Sequence, residues 1–367
     1  MDRGAMESFY KVALTFVEGV GSKTARNLVE AFGSAEGVFD AKEADLDEYR
    51  ITAPIKRGIL NKSTYKRAEV EMEFADKRGI DIIAMGDPEY PAKLAEVADA
   101  PFLFYYKGKS VLHADRVMSI VGTRNASSYG KRICGEFVQE LVPYDPVIVS
   151  GLAYGIDAFA HEAAVKHNIP TVAVLGHGLD MMYPEAHIGL AERMLERGGW
   201  LSEFPSGTIP DRFNFPMRNR IIAGLADVTV VVEAGAKGGA LITANLAHSY
   251  HREVCAFPGG IYQDYSAGCN QLIMSNKAYP IHRAKNLEYI MNWKPVEGMF
   301  SPQHREQVAA NGQEVAILDF LHQNGPTTMD QMCEGTGLNV HALSLILIQM
   351  EIKQLITPLP GRVYESR

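Results

Sequence analysis

Short runs of β-branched residues alternate with stretches of helical periodicity from residue 79 to residue 281. This alternation constrains the fold more than any other feature of the sequence. Strands are predicted at 80–85, 116–121, 147–150, 171–175, 228–233, 254–257 and 278–281, and helices at 131–141, 156–167, 188–197, 218–226 and 241–251. The pattern favours an α/β fold with a mostly parallel sheet covered on both faces. Ligands of such sheets bind beyond the carboxyl ends of the strands.

The composition is that of a soluble protein. With 367 residues, of which 47% are apolar, the chain can bury a sizeable core in two or three domains. No apolar run reaches the roughly 18 to 20 residues that cross a bilayer, and the first residues do not resemble a secretion signal. The four cysteines are scattered without CxxC spacing, which favours neither a zinc site nor disulfides. We therefore expect a cytoplasmic protein without metal or membrane partners.

The formal net charge of −8 limits how the chain could bind nucleic acid. Proteins that coat nucleic acid by bulk electrostatics usually carry a basic surface. Any such site here must be a local basic pocket, so the placement of individual arginines matters more than their number.

Periodicity changes along the chain and predicts four segments. These are a helical domain over 1–78, resembling a SAM or helix-hairpin-helix domain, a Rossmann-type domain over 79–293, a linker over 294–312 and a winged-helix-like domain over 313–367. Three helices at 313–324, 328–335 and 340–355, followed by a short hairpin, predict the winged helix. In the first segment, Gly19 and Gly21 lie in a turn between two helices. They could let backbone N–H groups approach a phosphate, or they could simply close an αα-hairpin.

The first predicted strand-to-helix loop with chemical character runs over 121–130. Gly122 and Thr123 begin it, Arg124 offers a fork of donors for a phosphate, and Ser127 offers a hydroxyl at the start of the next helix. Only Gly122 and Gly130 are present, so the GxGxxG pattern of dinucleotide enzymes is absent and no cofactor is expected. The other interpretation is a tight turn with an arginine on the surface.

A second loop carries Ser150 and Gly151 and leads to Asp157 and His161, which lie four residues apart on one helical face. An acid/base pair is one interpretation of these two residues. A structural hydrogen bond at the helix start is favoured, because no nucleophile accompanies them. A third loop contains His177, which could contact a base or a phosphate, although a simply exposed position is favoured.

The fourth loop, residues 215–220, is the clearest basic cluster. Pro216 favours helix entry, so Arg218, Asn219 and Arg220 are predicted in the first helical turn. The helix dipole disfavours cations there unless an anion is bound. A bound phosphate is therefore the favoured explanation.

Two Gly-rich loops complete the series. One contains Lys237, Gly238 and Gly239, and the other is Pro258-Gly259-Gly260. Each can present backbone N–H groups to a phosphate. Together the loops predict an anion groove along one edge of the sheet, long enough for an oligonucleotide.

Four ordered motifs in this region resemble the DNA processing protein A (DprA/Smf) family. They are Val121-Gly122-Thr123-Arg124, the segment from Ser150 to Asp157, the segment from Phe215 to Leu225, and Pro258-Gly259. The resemblance covers roughly residues 80 to 285. It implies an extended Rossmann fold, a homodimer, single-stranded DNA binding and loading of RecA recombinase in natural transformation, with single-strand binding protein as a further candidate partner and no catalysis.

The resemblance also implies roles for individual residues. Arg124, Arg218, Asn219 and Arg220 would contact the DNA backbone, while Gly122, Ser150 and Gly151 would shape the pocket. At two places the sequence departs from the family pattern, which weakens the roles that the resemblance implies there. Relatives often have Ser-Gly-Ser-Leu where this chain has 238–241, and a Lys where His187 and Ile188 follow the Tyr183-Pro184 step. At the first place side-chain hydroxyl contacts are therefore lost and only backbone contacts remain possible, and at the second a basic contact is doubtful.

Two other functions compete with the binding module. A nucleotide-processing enzyme of the lysine-decarboxylase-like phosphoribohydrolase type would also have a Rossmann sheet and a Pro-Gly-Gly loop. Its Thr and Glu shortly after that loop are absent here, where residues 261–264 read Ile-Tyr-Gln-Asp. A transcription factor reading duplex DNA is disfavoured because the predicted helix 340–355 is apolar almost all round.

Overall fold

The computed structural model describes residues 3–296, 312–352, 355–359 and 361–366. Two compact units divide the chain, Met1–Lys294 and Pro295–Arg367. Most of the predicted linker, residues 297–311, lies outside the described residues.

The first unit combines helices with one large sheet. The helices are α1 (Arg3–Thr15), α2 (Ser22–Phe32), α3 (Ala35–Asp40), α4 (Glu43–Glu48), α5 (Ala53–Leu60), α6 (Tyr65–Arg78), α7 (Ala92–Ala95), α8 (Ser128–Glu140), α9 (Ile156–Lys166), α10 (Ile188–Met194), α11 (Asn214–Leu225), α12 (Gly239–Ser249), α13 (Ala267–Met274) and α14 (Asn286–Ile290). The strands are β1 (Asp81–Ala84), β2 (Leu103–Gly108), β3 (Val117–Val121), β4 (Val147–Ser150), β5 (Thr171–Leu175), β6 (Gly199–Ser202), β7 (Val228–Val231), β8 (Glu253–Ala256) and β9 (Tyr279–Pro280).

These strands form one sheet in the order β1-β2-β6-β5-β4-β3-β7-β8-β9 within the described residues. The strands from β6 to β9 in this order pair in parallel, whereas β1 with β2 and β2 with β6 pair antiparallel. The predicted α/β fold with a mostly parallel sheet is confirmed. Strands β2 and β6 were not predicted, because one is an aromatic run and the other has four residues, of which Gly199 is one.

Residues of the central strands alternate between two apolar layers. In β3, Val117 and Val121 join the core on one face, and Met118 and Ile120 join the core on the other. Every residue of β3, β4, β5 and β7 is buried. Helices on both faces explain why these strands read as continuous apolar runs.

The N-terminal helices pack against the sheet and share a core with it. Leu14 of α1 and Leu28 of α2 belong to the same apolar cluster as Leu103 of β2 and Leu175 of β5. Hydrogen bonds also join α6 to the segment that follows β6. The buried Glu71 carboxylate of α6 accepts them from the N–H (2.9 Å) and the Oγ (2.6 Å) of Ser206.

The second unit has the predicted winged-helix architecture. It contains α15 (Gly312–Asn324), α16 (Met329–Thr336) and α17 (Val340–Ile352), with β10 (Thr327–Thr328), β11 (Ile356–Leu359) and β12 (Val363–Ser366) in a small antiparallel sheet. Thr328 caps α16 in a capping box with Gln331.

None of the helices in the described parts of the chain is long and apolar enough to cross a membrane.

Candidate nucleic-acid interface

A cavity of about 690 Å³ opens at the carboxyl ends of β3 and β7. We call it the strand-end cavity. Its lining comes mainly from the loops that follow these strands, from the first half of α11 and from the start of α12. The charged residues that line it are Arg124, Asp157, Arg212, Arg218 and Lys237.

The charge of this lining is opposite to that of the whole chain. Four of the five charged residues are cations, and Arg124, Arg212 and Lys237 are exposed to solvent. The carboxylate, Asp157, is buried and accepts a hydrogen bond from the Gly151 N–H at 3.2 Å. The cavity therefore attracts anions, although the protein carries a net charge of −8.

Arg218 is the buried cation of the site, with only 4% of its surface exposed. Its Nη1 donates to the carbonyl of Val174 at 2.6 Å, and its Nε has no partner. Burial lowers the pKa of Arg218 to about 10, partly offset by attraction to Asp157, so the guanidinium is charged at neutral pH. A Cβ added at Gly151 would overlap this guanidinium, so the glycine makes room for it.

Phe215 links two of the arginines. The guanidinium carbon of Arg124 lies 5.3 Å from the centre of the Phe215 ring, and that of Arg218 lies 5.9 Å from it. Tyr183 packs against the same ring with centroids 6.1 Å apart. Cation–π attraction therefore orients the cationic side chains around an aromatic wall.

The predicted helix start at Arg218 is wrong. Helix α11 begins at Asn214, so Arg218 is its fifth residue and lies beyond the first turn. Pro216 is tolerated in the first turn because the N–H groups there have no intrahelical partner. The argument from the helix dipole thus fails for Arg218. The Val174 carbonyl and Asp157 hold the guanidinium instead.

Residues 219 and 220 point in different directions. Asn219 lines the strand-end cavity and its Nδ2 donates to the Gly239 carbonyl at 3.4 Å. Arg220 forms an ion pair with Glu203 and donates to the carbonyl of Asp99. It lines a separate cavity beside α2, so the structure does not bring Arg220 together with Arg124.

The predicted hydroxyl donors lie behind the cavity wall. Ser127 donates through its Oγ (2.6 Å) and its N–H (2.9 Å) to the buried carboxylate of Glu233. Ser150 is fully buried and donates to the Ile120 carbonyl at 2.6 Å. Glu233 thus occupies the start of α8, where the sequence suggested a phosphate.

Some of the predicted glycines and their neighbours line the cavity, whereas Gly151, Gly259 and Gly260 are not among the described residues that line it. Gly122 and Thr123 follow β3, and Lys237, Gly238 and Gly239 lead into α12. Helix α12 begins at Gly239, and no side chain caps it. Its free N–H groups are suited to an anion.

Asp157 and His161 are each hydrogen-bonded to a different partner. His161 is fully buried and its Nδ1 lies 2.7 Å from the Thr171 hydroxyl, which itself donates to the Ile148 carbonyl. Burial lowers the pKa of His161 to about 3, so the ring is neutral. Each residue therefore has a structural hydrogen bond, but the bond of His161 joins α9 to β5 and does not fix the helix start.

Two other histidines are held by backbone groups. The expectation that His177 is exposed is wrong, because the residue is buried and accepts a hydrogen bond from the Tyr183 N–H at 3.3 Å. His187 bonds the Leu152 carbonyl through Nδ1 at 2.8 Å.

Sequence reasoning missed several lining residues. Arg212, Ile242 and Tyr265 line the cavity without being predicted from the sequence, and Tyr183 is named there only for the Tyr-Pro step. Arg212 stands six residues before Arg218, so a wider search around the basic cluster would have found it. The others have no signal in the sequence because the fold alone brings them to this edge.

Comparisons with known proteins agree with this architecture. A model of the family described as DNA recombination-mediator protein A matches residues 81–292, and a model described as DprA winged helix domain matches residues 301–362. Protein Smf of Synechocystis is 31% identical over 98% of this chain and 99% of its own length. The DNA processing protein DprA of Streptococcus pneumoniae is 43% identical over 56% of this chain and 72% of its own length.

Two solved structures are also similar. The structure of DprA from Streptococcus pneumoniae aligns with a TM-score of 0.64 and 30% identity, over 78% of this chain and 98% of that one. A second structure, described as showing the single-stranded DNA binding mode of DprA from Helicobacter pylori, aligns with a TM-score of 0.53 and 26% identity, over 58% of this chain and 98% of that one.

The sheet, the basic strand-end cavity and the winged helix define the class as an α/β protein of the extended Rossmann type. The family match covers more than half of the chain and reaches a second domain. The chain belongs to the DNA recombination-mediator protein A (DprA/Smf) family of DNA processing proteins.

The buried neutral His161 predicts an acid-sensitive fold. The unfolded chain binds a proton near pH 6.5, whereas the folded chain binds it only near pH 3. Stability should therefore fall as pH drops below 6.5, by at most about 1.4 kcal/mol per pH unit from this group. In urea titrations from pH 7 to 4, His161→Asn should lose less stability than the native chain.

The exposed His113 provides the control, since His113→Asn should keep the native pH dependence. An unchanged pH slope in His161→Asn would show that His161 is not held neutral.

Proposed function

We propose that the protein binds single-stranded DNA in the strand-end cavity and performs no catalysis there. The observation that carries this proposal is the convergence of three exposed cations, Arg124, Arg212 and Lys237, on one cavity of an acidic chain. A localised basic site is what such a chain needs to hold a polyanion.

The walls of the cavity favour unpaired bases. Phe215, Tyr183 and Ile242 supply aromatic and apolar surface beside the cations. Base faces can stack on such surface only when the strand is not paired in a duplex. The name of the Helicobacter pylori structure, a relative at 26% identity, describes single-stranded DNA binding and supports the same choice.

The arrangement of the site favours binding over turnover. Asp157 and His161 are engaged in structural hydrogen bonds, and the loop at Gly259 is held by both the Oδ1 and Nδ2 of Asn270. The Glu that the phosphoribohydrolases carry after their Pro-Gly-Gly is absent. A nucleotide-processing enzyme is the alternative that the experiments below also test.

Duplex reading by the winged helix receives little support. Helix α17 contains no Lys or Arg between Val340 and Ile352. Leu345 and Ile348 are more than half exposed on it. Recognition helices in DNA grooves depend on side chains that reach phosphates and base edges.

Removing two cavity cations tests the proposal directly. The Arg124→Ala, Lys237→Ala double variant should bind an oligothymidylate more weakly. The slope of log affinity against log salt should fall by about 1.4, because each lost phosphate contact contributes about 0.7. Fluorescence anisotropy at four salt concentrations measures both quantities.

Lys166→Ala is the matched control. Lys166 is exposed at the end of α9, a helix that starts beyond the carboxyl end of β4 and runs back toward the opposite edge of the sheet. This variant should keep the native affinity and slope. Equal slopes for the double variant and the native chain would place the DNA elsewhere, and competition by a mononucleotide as effective as the oligonucleotide would favour the enzyme.

We further propose that the protein acts in the cytoplasm as a homodimer that delivers the single strand to RecA recombinase. Family membership supports this role. Adding the protein to DNA coated with single-strand binding protein should increase RecA-dependent strand exchange, and the double variant should increase it less. No increase with the native chain would exclude loading and leave DNA binding intact.

A further inference from the structure

The loop that follows β8 ends in an exposed apolar tip. We call residues 257–266 the β8 loop. Ile261 is 82% exposed and Tyr262 is 95% exposed. Because β8 is parallel to β3 and β7, the loop leaves the sheet at the same edge as the strand-end cavity.

The base of the β8 loop is fixed. Asn270 bonds the N–H (3.1 Å) and the carbonyl (3.0 Å) of Gly259, and the Tyr129 hydroxyl donates to the Pro258 carbonyl at 3.0 Å. These contacts hold the loop against α8 and α13. The base of the loop is thus held in place while the Tyr262 ring lies in solvent, where it contributes no buried apolar surface to the fold.

The same loop reaches the strand-end cavity. Tyr265 lines that cavity, and the Asn125 side chain donates to its hydroxyl at 3.4 Å. Tyr265 lies three positions after Tyr262, so their Cα atoms lie within about 11 Å of each other. A strand that leaves the cavity over Tyr265 is therefore within reach of the tip.

The charged residues near the β8 loop are an arginine beside its base and an aspartate within it. Arg132 is exposed on α8, three residues after Tyr129, so the two side chains lie on the same face of that helix beside the anchored base of the loop. Asp264 is exposed within the loop and would repel phosphates. The loop therefore offers the ring face of Tyr262 to a base, and Arg132 offers a positive charge to a neighbouring phosphate.

We infer that the Tyr262 ring is a stacking platform for a base outside the strand-end cavity, with Arg132 pairing a neighbouring phosphate. This inference rests on the proposed function and extends the binding site beyond the cavity. It also adds to the preference for single strands, because a paired base cannot present its face to the ring.

Oligothymidylates of increasing length test the platform. The shortest oligomers that bind should fill the cavity alone and bind native chain and Tyr262→Ala equally. Longer oligomers should reach the tip and bind Tyr262→Ala about tenfold more weakly. The salt slope should not change, because no charge is removed, whereas Arg132→Ala should lower it by about 0.7 for the longer oligomers.

Two further variants distinguish stacking from other effects. Tyr262→Trp should keep or increase the affinity, because a larger ring still stacks. Tyr289→Ala is the control and should have no effect on DNA affinity. Tyr289 is 91% exposed on α14. The neighbouring Glu288 accepts a hydrogen bond from Tyr144, just before β4, so α14 lies at the edge of the sheet opposite the strand-end cavity.

Equal affinity of Tyr262→Ala and native chain at every length would overturn the inference and leave the proposed function standing. A changed mass of Tyr262→Ala in sedimentation, with unchanged DNA affinity, would overturn it too and identify the tip as a protein contact. No binding of any single strand by the native chain would overturn the proposed function as well.

Discussion

The candidate site depends on one buried cation. The Arg218 guanidinium is held by the Val174 carbonyl, attracted by Asp157 and stacked against Phe215. A buried charge is costly unless neighbouring groups compensate it, so the surroundings of Arg218 are closely constrained. Gly151 lacks a side chain where the guanidinium passes. The cavity wall is therefore built around this one residue.

Carboxylates of the protein occupy the positive starts of two helices and leave a third helix start open to an external anion. Glu233 accepts hydrogen bonds at the start of α8, and Glu203 accepts one from Ser22 at the start of α2. Both helix starts thus have an internal anion, which is favourable for the positive end of the dipole. The start of α12 at Gly239 has no capping side chain and faces the strand-end cavity. An acidic protein can in this way direct an external polyanion to one place.

The sequence predicts the topology class well because parallel strands buried on both faces leave an unmistakable apolar pattern. It also predicts that Arg124, Arg218 and Lys237 meet at one edge of the sheet, and all three line the cavity there. Residue directions are harder to foresee. Adjacent positions on α11 face different ways, so Asn219 lines the strand-end cavity while Arg220 pairs with Glu203.

Other parts of the site depend on long-range contacts that carry no local signal. At the start of α8, Ser127 donates a hydrogen bond to Glu233, which lies more than 100 positions further along the chain. The extent of α11 could not be read from Pro216, since proline is compatible with either an extended segment or a first helical turn. The sequence predicts phosphate binding at Ser127 because the acidic partner of this residue, Glu233, lies far away along the chain.

Photocrosslinking of bound DNA tests the central claim most directly. An oligothymidylate carrying photoreactive bases would be irradiated in complex with the full chain, and the crosslinked residues identified by mass spectrometry. The account predicts crosslinks at Tyr183, Phe215 or Tyr265, the aromatic lining of the strand-end cavity. Crosslinks confined to α17 of the winged helix, or to α1 and α2, would contradict it.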